Sequence, residues 1–216
     1  MKNALFLPLL FVNFLFGSTS VHSESISQHT TKFDYTDELL PFHHSRPRKA
    51  EITHTVIHFI SDASRNPANP FNFEGIHSVY KEYGVSAHYM IDRDGTIYRL
   101  VPENRVAYHA GKGYAHGFPR YKDNLNEVSI GIELMAVGTE MEMEALLSKG
   151  TYSRIHASAV GYTDAQYVSL NAILASLYDK YPTLIRNRWH VIGHDEYAPG
   201  RKTDPGSLFD WGRIGY

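Results

Sequence analysis

Residues 193–206, with the sequence GHDEYAPGRKTDPG, bring an imidazole, a cation and a carboxylate into one loop. His194, Lys202 and Asp204 supply these groups, and the surrounding glycines and prolines predict turns rather than regular structure. The loop follows a short apolar segment at 189–192 that predicts a buried strand. Because loops held at strand ends often carry binding and catalytic residues, this loop is the first candidate for a chemical site.

Ionisable side chains interrupt apolar segments elsewhere in the chain. His58 lies late in residues 52–60, where both faces are largely apolar, which predicts a central strand. On its own this histidine fits either a core position or a site at the edge of the strand. Glu133 lies within a second apolar segment at 128–135. Buried carboxylates are rare unless paired or functional, and we expect a functional one here.

These residues share one explanation in a catalytic zinc site, which commonly has two imidazoles, one carboxylate and a fourth position for water. The candidate ligands are His58, His194 and Asp204. Glu133, with a pKa raised by its apolar surroundings, would be the base that takes a proton from that water. Lys202 would stabilise the oxyanion. Other triads stay open at this point, because the chain has thirteen histidines and no HExxH motif.

The elements that must position these residues alternate between strands and helices. Strand-like segments lie at 52–60, 85–91, 96–101, 128–135 and 189–192. The sequence DRDG at 92–95 predicts a hairpin. Helical spacing predicts one helix from Phe73 and another after the capping box at 163–166, with a shorter helix in the insert at 139–162. The pattern predicts a single α/β domain over residues 51–216, with a central mixed β-sheet flanked by helices.

The N-terminus has the pattern of a secretory signal peptide over residues 1–23. Lys2 precedes an apolar segment at 4–16, shorter than the ~20 residues that a bilayer-spanning helix needs. We expect an exported protein, periplasmic or secreted, with no stable membrane anchor after cleavage; a membrane anchor is the alternative. Residues 24–50 are polar and lack periodicity, which predicts a solvated arm or linker.

The composition excludes several classes of function. The net charge of the 216 residues is −2, and without a basic run a nucleic-acid partner is not expected. The absence of cysteine excludes disulfides, thiolate metal ligands, a cysteine nucleophile and a lipidated N-terminus. We expect a monomer.

Five segments together resemble the zinc-dependent N-acetylmuramoyl-L-alanine amidases of the AmpD and AmiD type, whose fold is shared with peptidoglycan recognition proteins. The segments, in the order of the family, are VIHF at 56–59, SAHYMIDRDG at 86–95, AYHAG at 107–111, SIGIE at 129–133 and GHDEYAPGRKTDPG at 193–206. The last segment is specific for this family, and the five segments together are highly specific for it.

The resemblance implies a role for each matching residue. The implied ligands of Zn²⁺ are His58, His194 and Asp204. Glu133 matches the catalytic glutamate, Lys202 the transition-state lysine, and His109 a pocket position that faces the substrate. The implied reaction is hydrolysis of the amide between the lactyl group of N-acetylmuramic acid and L-alanine, in peptidoglycan or muropeptides.

Two other functions are compatible with parts of this pattern. A non-catalytic peptidoglycan-binding module would share the fold, but the chain keeps all three ligand positions together with Glu133 and Lys202. The same ligand set would permit a zinc peptidase that cuts within the stem peptide. Only the resemblance to the amidases argues against this function. Among the other histidines, we expect His88 to pack near the site and His54 and His190 to be structural or at the surface.

Overall fold

The computed structural model describes residues 32–216, so the predicted signal peptide at 1–23 lies outside the described residues. The strands of the described range are β1 (Thr36–Asp37), β2 (Ser45–Pro47), β3 (His54–Ile60), β4 (Tyr89–Ile91), β5 (Ile97–Arg99), β6 (Arg105–Ala107), β7 (Ser129–Met135) and β8 (Val191–Gly193). The α-helices are α1 (Phe73–Tyr83), α2 (Glu140–Met143), α3 (Asp164–Lys180) and α4 (His194–Tyr197). Short 3₁₀ helices lie at Phe42–His44, Pro119–Tyr121, Leu125–Val128, Tyr152–Arg154, Ala157–Ala159 and Trp211–Ile214.

Six strands form the central sheet in the order β1-β5-β4-β7-β3-β8, and β2 pairs with β6 in a small antiparallel ribbon. The pairs β3–β7, β3–β8, β4–β7 and β1–β5 are parallel, whereas β4 and β5 form the antiparallel hairpin. The predicted fold class, an α/β domain with a mixed sheet flanked by helices, is therefore confirmed. In the described range, no helix is long and apolar enough to cross a membrane.

The long helix α3 covers one face of this sheet. Its first turn is fixed by the predicted capping box, in which the Thr163 hydroxyl accepts from the Gln166 amide and the Gln166 side chain accepts from the Thr163 amide. The core on this face joins apolar residues of the strands to apolar residues of α3, including Ile57, Ile132 and Leu170, all fully buried. Each such side chain contributes roughly 1.5–3 kcal/mol by leaving water.

The opposite face of the sheet carries the ionisable residues. Successive strand side chains alternate between faces, so His58 of β3 points away from α3 when Ile57 packs on it. His58 pairs in register with Glu133 on the neighbouring strand β7. Both lie near the carboxyl ends of parallel strands, and His194 follows directly after β8. Ligands of open α/β sheets bind at this end, so the topology itself brings the three residues towards one another.

The N-terminal arm differs from the solvated linker expected over residues 24–50. In its described part β1 pairs with β5 and β2 pairs with β6. Leu40 and His44 are buried, and Leu40 packs against α1 and the sheet. The strands of the arm could not be predicted from the sequence, because they are only two and three residues long and bury few side chains. Such short strands leave no periodic pattern of apolar residues.

The last strand also differs in detail from its prediction. The strand expected at 189–192 begins only at Val191, because the Asn187 side chain accepts from the amides of Trp189 and His190 and holds a turn there. The tail ends in the 3₁₀ helix Trp211–Ile214, which follows the partly exposed Leu208, 39% exposed.

Candidate metal centre

Three side chains converge at the carboxyl ends of the central strands. His58 Nδ1 lies 3.0 Å from His194 Nδ1 and 2.8 Å from Asp204 Oδ2, and His194 Nδ1 lies 3.0 Å from the same carboxylate oxygen. All three residues are buried. They form the one cluster in residues 32–216 whose ligand atoms could hold a metal ion, so the structure brings together the three ligands that the sequence predicts.

The donor chemistry of this triangle fits a cation. Two imidazole nitrogens and one carboxylate oxygen lie within 3.0 Å of one another. An ion between them would bind to the lone pairs of these three atoms. Burial and the proximity of His194 lower the pKa of His58 to about 4, which favours the neutral ring. Burial alone would raise the pKa of Asp204, but the two adjacent imidazoles, His194 and His58, hold it well below its usual range. Neutral imidazoles and an ionised carboxylate are the forms that bind metals.

The far nitrogen of each imidazole also has a partner. His194 Nε2 donates to the carbonyl oxygen of Ala110 at 2.8 Å, which leaves the lone pair of Nδ1 directed at the triangle. His58 Nε2 lies 3.1 Å from Nδ1 of His109. Such outer contacts fix the orientation and tautomer of metal-binding histidines.

Glu133 stands beside this triangle as an unpaired buried acid. Its Oε2 atom is buried without a hydrogen-bond partner. Burial raises the pKa of the Glu133 carboxyl well above its ordinary value; Asp204 raises it further, and the Lys202 cation opposes both. A buried carboxyl with a raised pKa and a free oxygen suits proton transfer at neutral pH.

The raised pKa of Glu133 predicts that replacing this residue stabilises the metal-free protein. Above the ordinary glutamate pKa, the unfolded chain releases a proton that the folded chain retains, so folding stability falls as pH rises towards the raised pKa. Glu133→Gln removes that loss. We expect the metal-free variant to melt at a higher temperature than the wild type at pH 7, with the difference shrinking towards pH 4. Equal melting temperatures across this range would contradict the assignment.

An open pocket of about 480 Å³ lies over the triangle. His58, Glu133, His194, Lys202 and Asp204 line its polar part. The C-terminal part of α1, the end of α2 and the segment after α2 contribute apolar and aromatic residues to its walls, namely Val79, Tyr80, Tyr83, Met143, Leu146 and Leu147. These wall residues could not be predicted from the sequence, because they belong to two elements that only the tertiary fold brings together.

The insert at 139–162 also holds the loop that carries Asp204. Glu142 of α2 accepts from the amide of Ser207 at 2.6 Å and from the amide of Thr139 at 2.7 Å. The Thr203 hydroxyl donates to the carbonyl oxygen of Glu142 at 3.0 Å. The insert is thus a wall of the pocket and a support for a candidate ligand.

Removing the Glu142 carboxylate is expected to destabilise the fold. Glu142→Ala removes the acceptor of two backbone amides at a partly exposed site, which costs about 0.5–1.5 kcal/mol for each hydrogen bond. Urea denaturation at neutral pH measures the loss, and the exposed neighbour Glu144 offers the matched control, Glu144→Ala. Equal unfolding free energies for the two variants would show that Glu142 does not support the loop.

Four other histidines of the described range, His54, His88, His109 and His190, have structural contacts. His88 is fully buried, and its Nδ1 accepts from the Gly131 amide at 3.0 Å. His54 stacks on His190 with ring centroids 5.0 Å apart, and both are buried. His109 lines the pocket wall, but both of its ring nitrogens are engaged by His58 and Ser129. The sequence analysis did not predict a role for Ser129. The signal that could have indicated one is its spacing of two from Gly131 and Glu133, which places all three residues on one face of the strand.

Comparison with known proteins gives a consistent result. The family described as N-acetylmuramoyl-L-alanine amidase matches residues 48–207. The 1,6-anhydro-N-acetylmuramyl-L-alanine amidase AmpD of Escherichia coli (strain K12) is 35% identical over 182 residues, which cover 84% of this chain and 82% of AmpD. The N-acetylmuramoyl-L-alanine amidase AmiD of the same strain is 29% identical over 166 residues, covering 74% of this chain and 50% of AmiD.

Solved structures agree with the sequence relatives. A crystal structure of a selenomethionine derivative of AmpD is similar with a TM-score of 0.60 at 30% identity, covering 86% of this chain and 95% of the other. AmiD from E. coli, in complex with anhydro-N-acetylmuramic acid-L-Ala-D-γ-Glu-L-Lys, is similar with a TM-score of 0.55 at 26% identity. That match covers 77% of this chain and 59% of AmiD.

Proposed function

The chain belongs to the family of N-acetylmuramoyl-L-alanine amidases, and from this we propose that it works as a zinc enzyme with the metal held by His58, His194 and Asp204. It is an amidase that hydrolyses the bond between N-acetylmuramic acid and L-alanine in muropeptides. The observation that carries the zinc proposal is the triangle of ligand atoms, 2.8–3.0 Å apart, beside the unpartnered oxygen of Glu133. Two imidazole nitrogens and one carboxylate oxygen would hold the zinc ion and leave a fourth position for water.

The side chains of the pocket divide the reaction between them. When bound, zinc supplies Lewis acidity that polarises the scissile carbonyl and acidifies water. Glu133 takes a proton from the attacking water on its unpartnered Oε2 and delivers it to the nitrogen of L-alanine as the amide bond breaks. The hydroxyl stays on the lactyl carbon, so the products are a free carboxyl group and a free amine.

Lys202 is the proposed partner of the developing negative charge. Its cation lowers the pKa of both His58 and Glu133, so its field reaches the metal ligands and the base. The side chain lines the same pocket. A fixed ammonium group near the carbonyl oxygen stabilises the oxyanion more than the neutral amide, which is the condition for lowering the barrier.

Product analysis by mass spectrometry tests this function. Purified protein is incubated with cell-wall sacculi and with soluble 1,6-anhydro-muropeptides, with and without a zinc chelator. We expect free stem peptides that begin at L-alanine, lost with the chelator and restored by added zinc. Cuts within the stem peptide would mean that the scissile bond is misassigned, and binding without cleavage would support the non-catalytic module.

We place the site of action outside the cytoplasm, on the basis of the signal-peptide pattern at residues 1–23. An exported enzyme meets intact wall and fragments released from it. Cell fractionation with mass measurement of the N-terminus tests this proposal. A shortened chain in the periplasm or medium would support it, and full-length protein confined to the cytoplasm would contradict it.

A further inference from the structure

A continuous series of hydrogen bonds leads from His58 away from the pocket to the main chain. His58 Nε2 lies 3.1 Å from His109 Nδ1. His109 Nε2 lies 3.1 Å from the hydroxyl oxygen of Ser129, and that hydroxyl lies 2.7 Å from the carbonyl oxygen of Leu125. All three side chains are buried, so water does not readily replace these contacts.

The carbonyl end of the series determines the direction of every bond. A carbonyl oxygen only accepts, so the Ser129 hydroxyl uses its single hydrogen to donate to Leu125. The Ser129 oxygen must then accept from His109 Nε2, which therefore carries a hydrogen. In a neutral imidazole the other nitrogen is then an acceptor. His109 Nδ1 consequently accepts, and His58 Nε2 donates to it.

The metal end gives the same direction independently. His58 Nδ1 is the atom that joins the ligand triangle, and a nitrogen that ligates a metal must present a lone pair. The hydrogen of a neutral His58 ring is then on Nε2. Donation from Nε2 to His109 Nδ1 follows again, so the requirements at the two ends agree.

We propose that His109 and Ser129 are positioning residues that hold His58 in the orientation and tautomer needed to bind the metal through Nδ1. This inference rests on the proposed zinc site and deepens it. It also gives His109 a role distinct from the substrate-facing one that the sequence predicts. Loss of an outer hydrogen-bond partner of a metal-binding histidine commonly weakens metal affinity by about 10–100-fold.

The surrounding backbone is built to hold His109 in this place. A Cβ atom on Gly131 would lie 2.5 Å from Cγ of the His109 ring, so only glycine leaves room for the ring against β7. The Asn126 side chain accepts from the amides of His109 and Ala110, at 3.1 and 2.8 Å. Since the Ala110 carbonyl accepts from His194, residues 109 and 110 together orient both imidazole ligands.

Variants of His109 test the proposal through zinc affinity, measured by competition with a chromogenic chelator. In His109→Asn, the side-chain oxygen can occupy the place of Nδ1 and accept from His58. In His109→Leu, no acceptor remains. We expect His109→Leu to bind zinc about 10–100-fold more weakly than the wild type and His109→Asn to recover most of that loss. The exposed His116 gives the control variant, His116→Ala.

Two further measurements separate positioning from general damage to the fold. Urea unfolding of the metal-free proteins reports stability, and the visible spectrum of the cobalt(II)-substituted proteins reports ligand geometry. Ser129→Ala is expected to weaken zinc binding less than His109→Leu, because the His109 acceptor remains while its tautomer is no longer fixed. This variant decides the question if His109→Leu does not fold.

Each result has a definite meaning. Wild-type zinc affinity in a folded His109→Leu or, if that variant does not fold, in Ser129→Ala overturns the proposal, and so does a His109→Asn variant as weak as His109→Leu. If the wild type itself binds no zinc, or if His194→Ala binds it as tightly, the proposed metal site fails instead. The failure of the positioning role and the failure of the site are therefore distinguishable.

Discussion

The His194→Ala variant is expected to lose both zinc retention and hydrolysis. The ring supplies one of the three ligand atoms, with Nδ1 3.0 Å from both His58 Nδ1 and Asp204 Oδ2. Alanine leaves one imidazole and one carboxylate, too few protein ligands for a catalytic zinc site. We expect turnover of a muropeptide to fall by about a thousandfold or more, which corresponds to about 4 kcal/mol of activation free energy.

Metal analysis of the dialysed variant, together with product release, checks this prediction. The fold should survive, because His194 begins α4 directly after β8 and lies outside the core between the sheet and α3. His116→Ala removes an exposed imidazole and should keep one zinc per chain and full turnover. A folded His194→Ala protein that still carries one zinc per chain would show that the ligand set is wrong.

The second large effect is expected at Glu133, where Glu133→Gln should keep zinc and lose turnover. Glutamine has nearly the same shape but cannot accept the proton of the attacking water. Loss of a general acid–base group typically costs about 10²–10⁴-fold in rate. The metal remains bound because Glu133 is not among the three ligand atoms, so zinc content separates this variant from His194→Ala.

The rate comparison is sharpened by measuring kcat and KM separately. We expect kcat to carry the loss while KM changes little, because the proton transfer matters in the transition state and not in substrate binding. Glu74→Gln, an exposed position in the first turn of α1, controls for the loss of one negative charge. Wild-type kcat in Glu133→Gln would remove this residue from the role of base.

The sequence predicts the framework of this site well, for physical reasons that can be named. An ionisable residue within an apolar strand indicates a buried functional group. The in-register pairing of His58 with Glu133 follows from two parallel strands that end together. The hairpin of β4 and β5 and the capped helix α3 carry strong local signals. Such features depend on residues close in sequence, which is why they can be predicted.

The contacts that tune the site depend on residues far apart in sequence and leave no periodic signal. His109 and His58 are 51 positions apart, and their contact needs the space above Gly131. Likewise, Glu142 reaches Ser207 across 65 positions. A motif can mark His109 as important, but only the fold shows that its nitrogens face His58 and Ser129. Whether His58, His194 and Asp204 bind zinc stays a prediction.

Titration of the metal-free wild type with zinc, followed by release of stem peptides from a 1,6-anhydro-muropeptide, tests the central claim most directly. We predict no turnover without metal and a linear rise that ends at one zinc per chain. The same titration of His194→Ala should produce no turnover at any ratio. Full turnover in the metal-free protein, or recovery of the variant at one zinc per chain, would contradict a zinc amidase built on His58, His194 and Asp204.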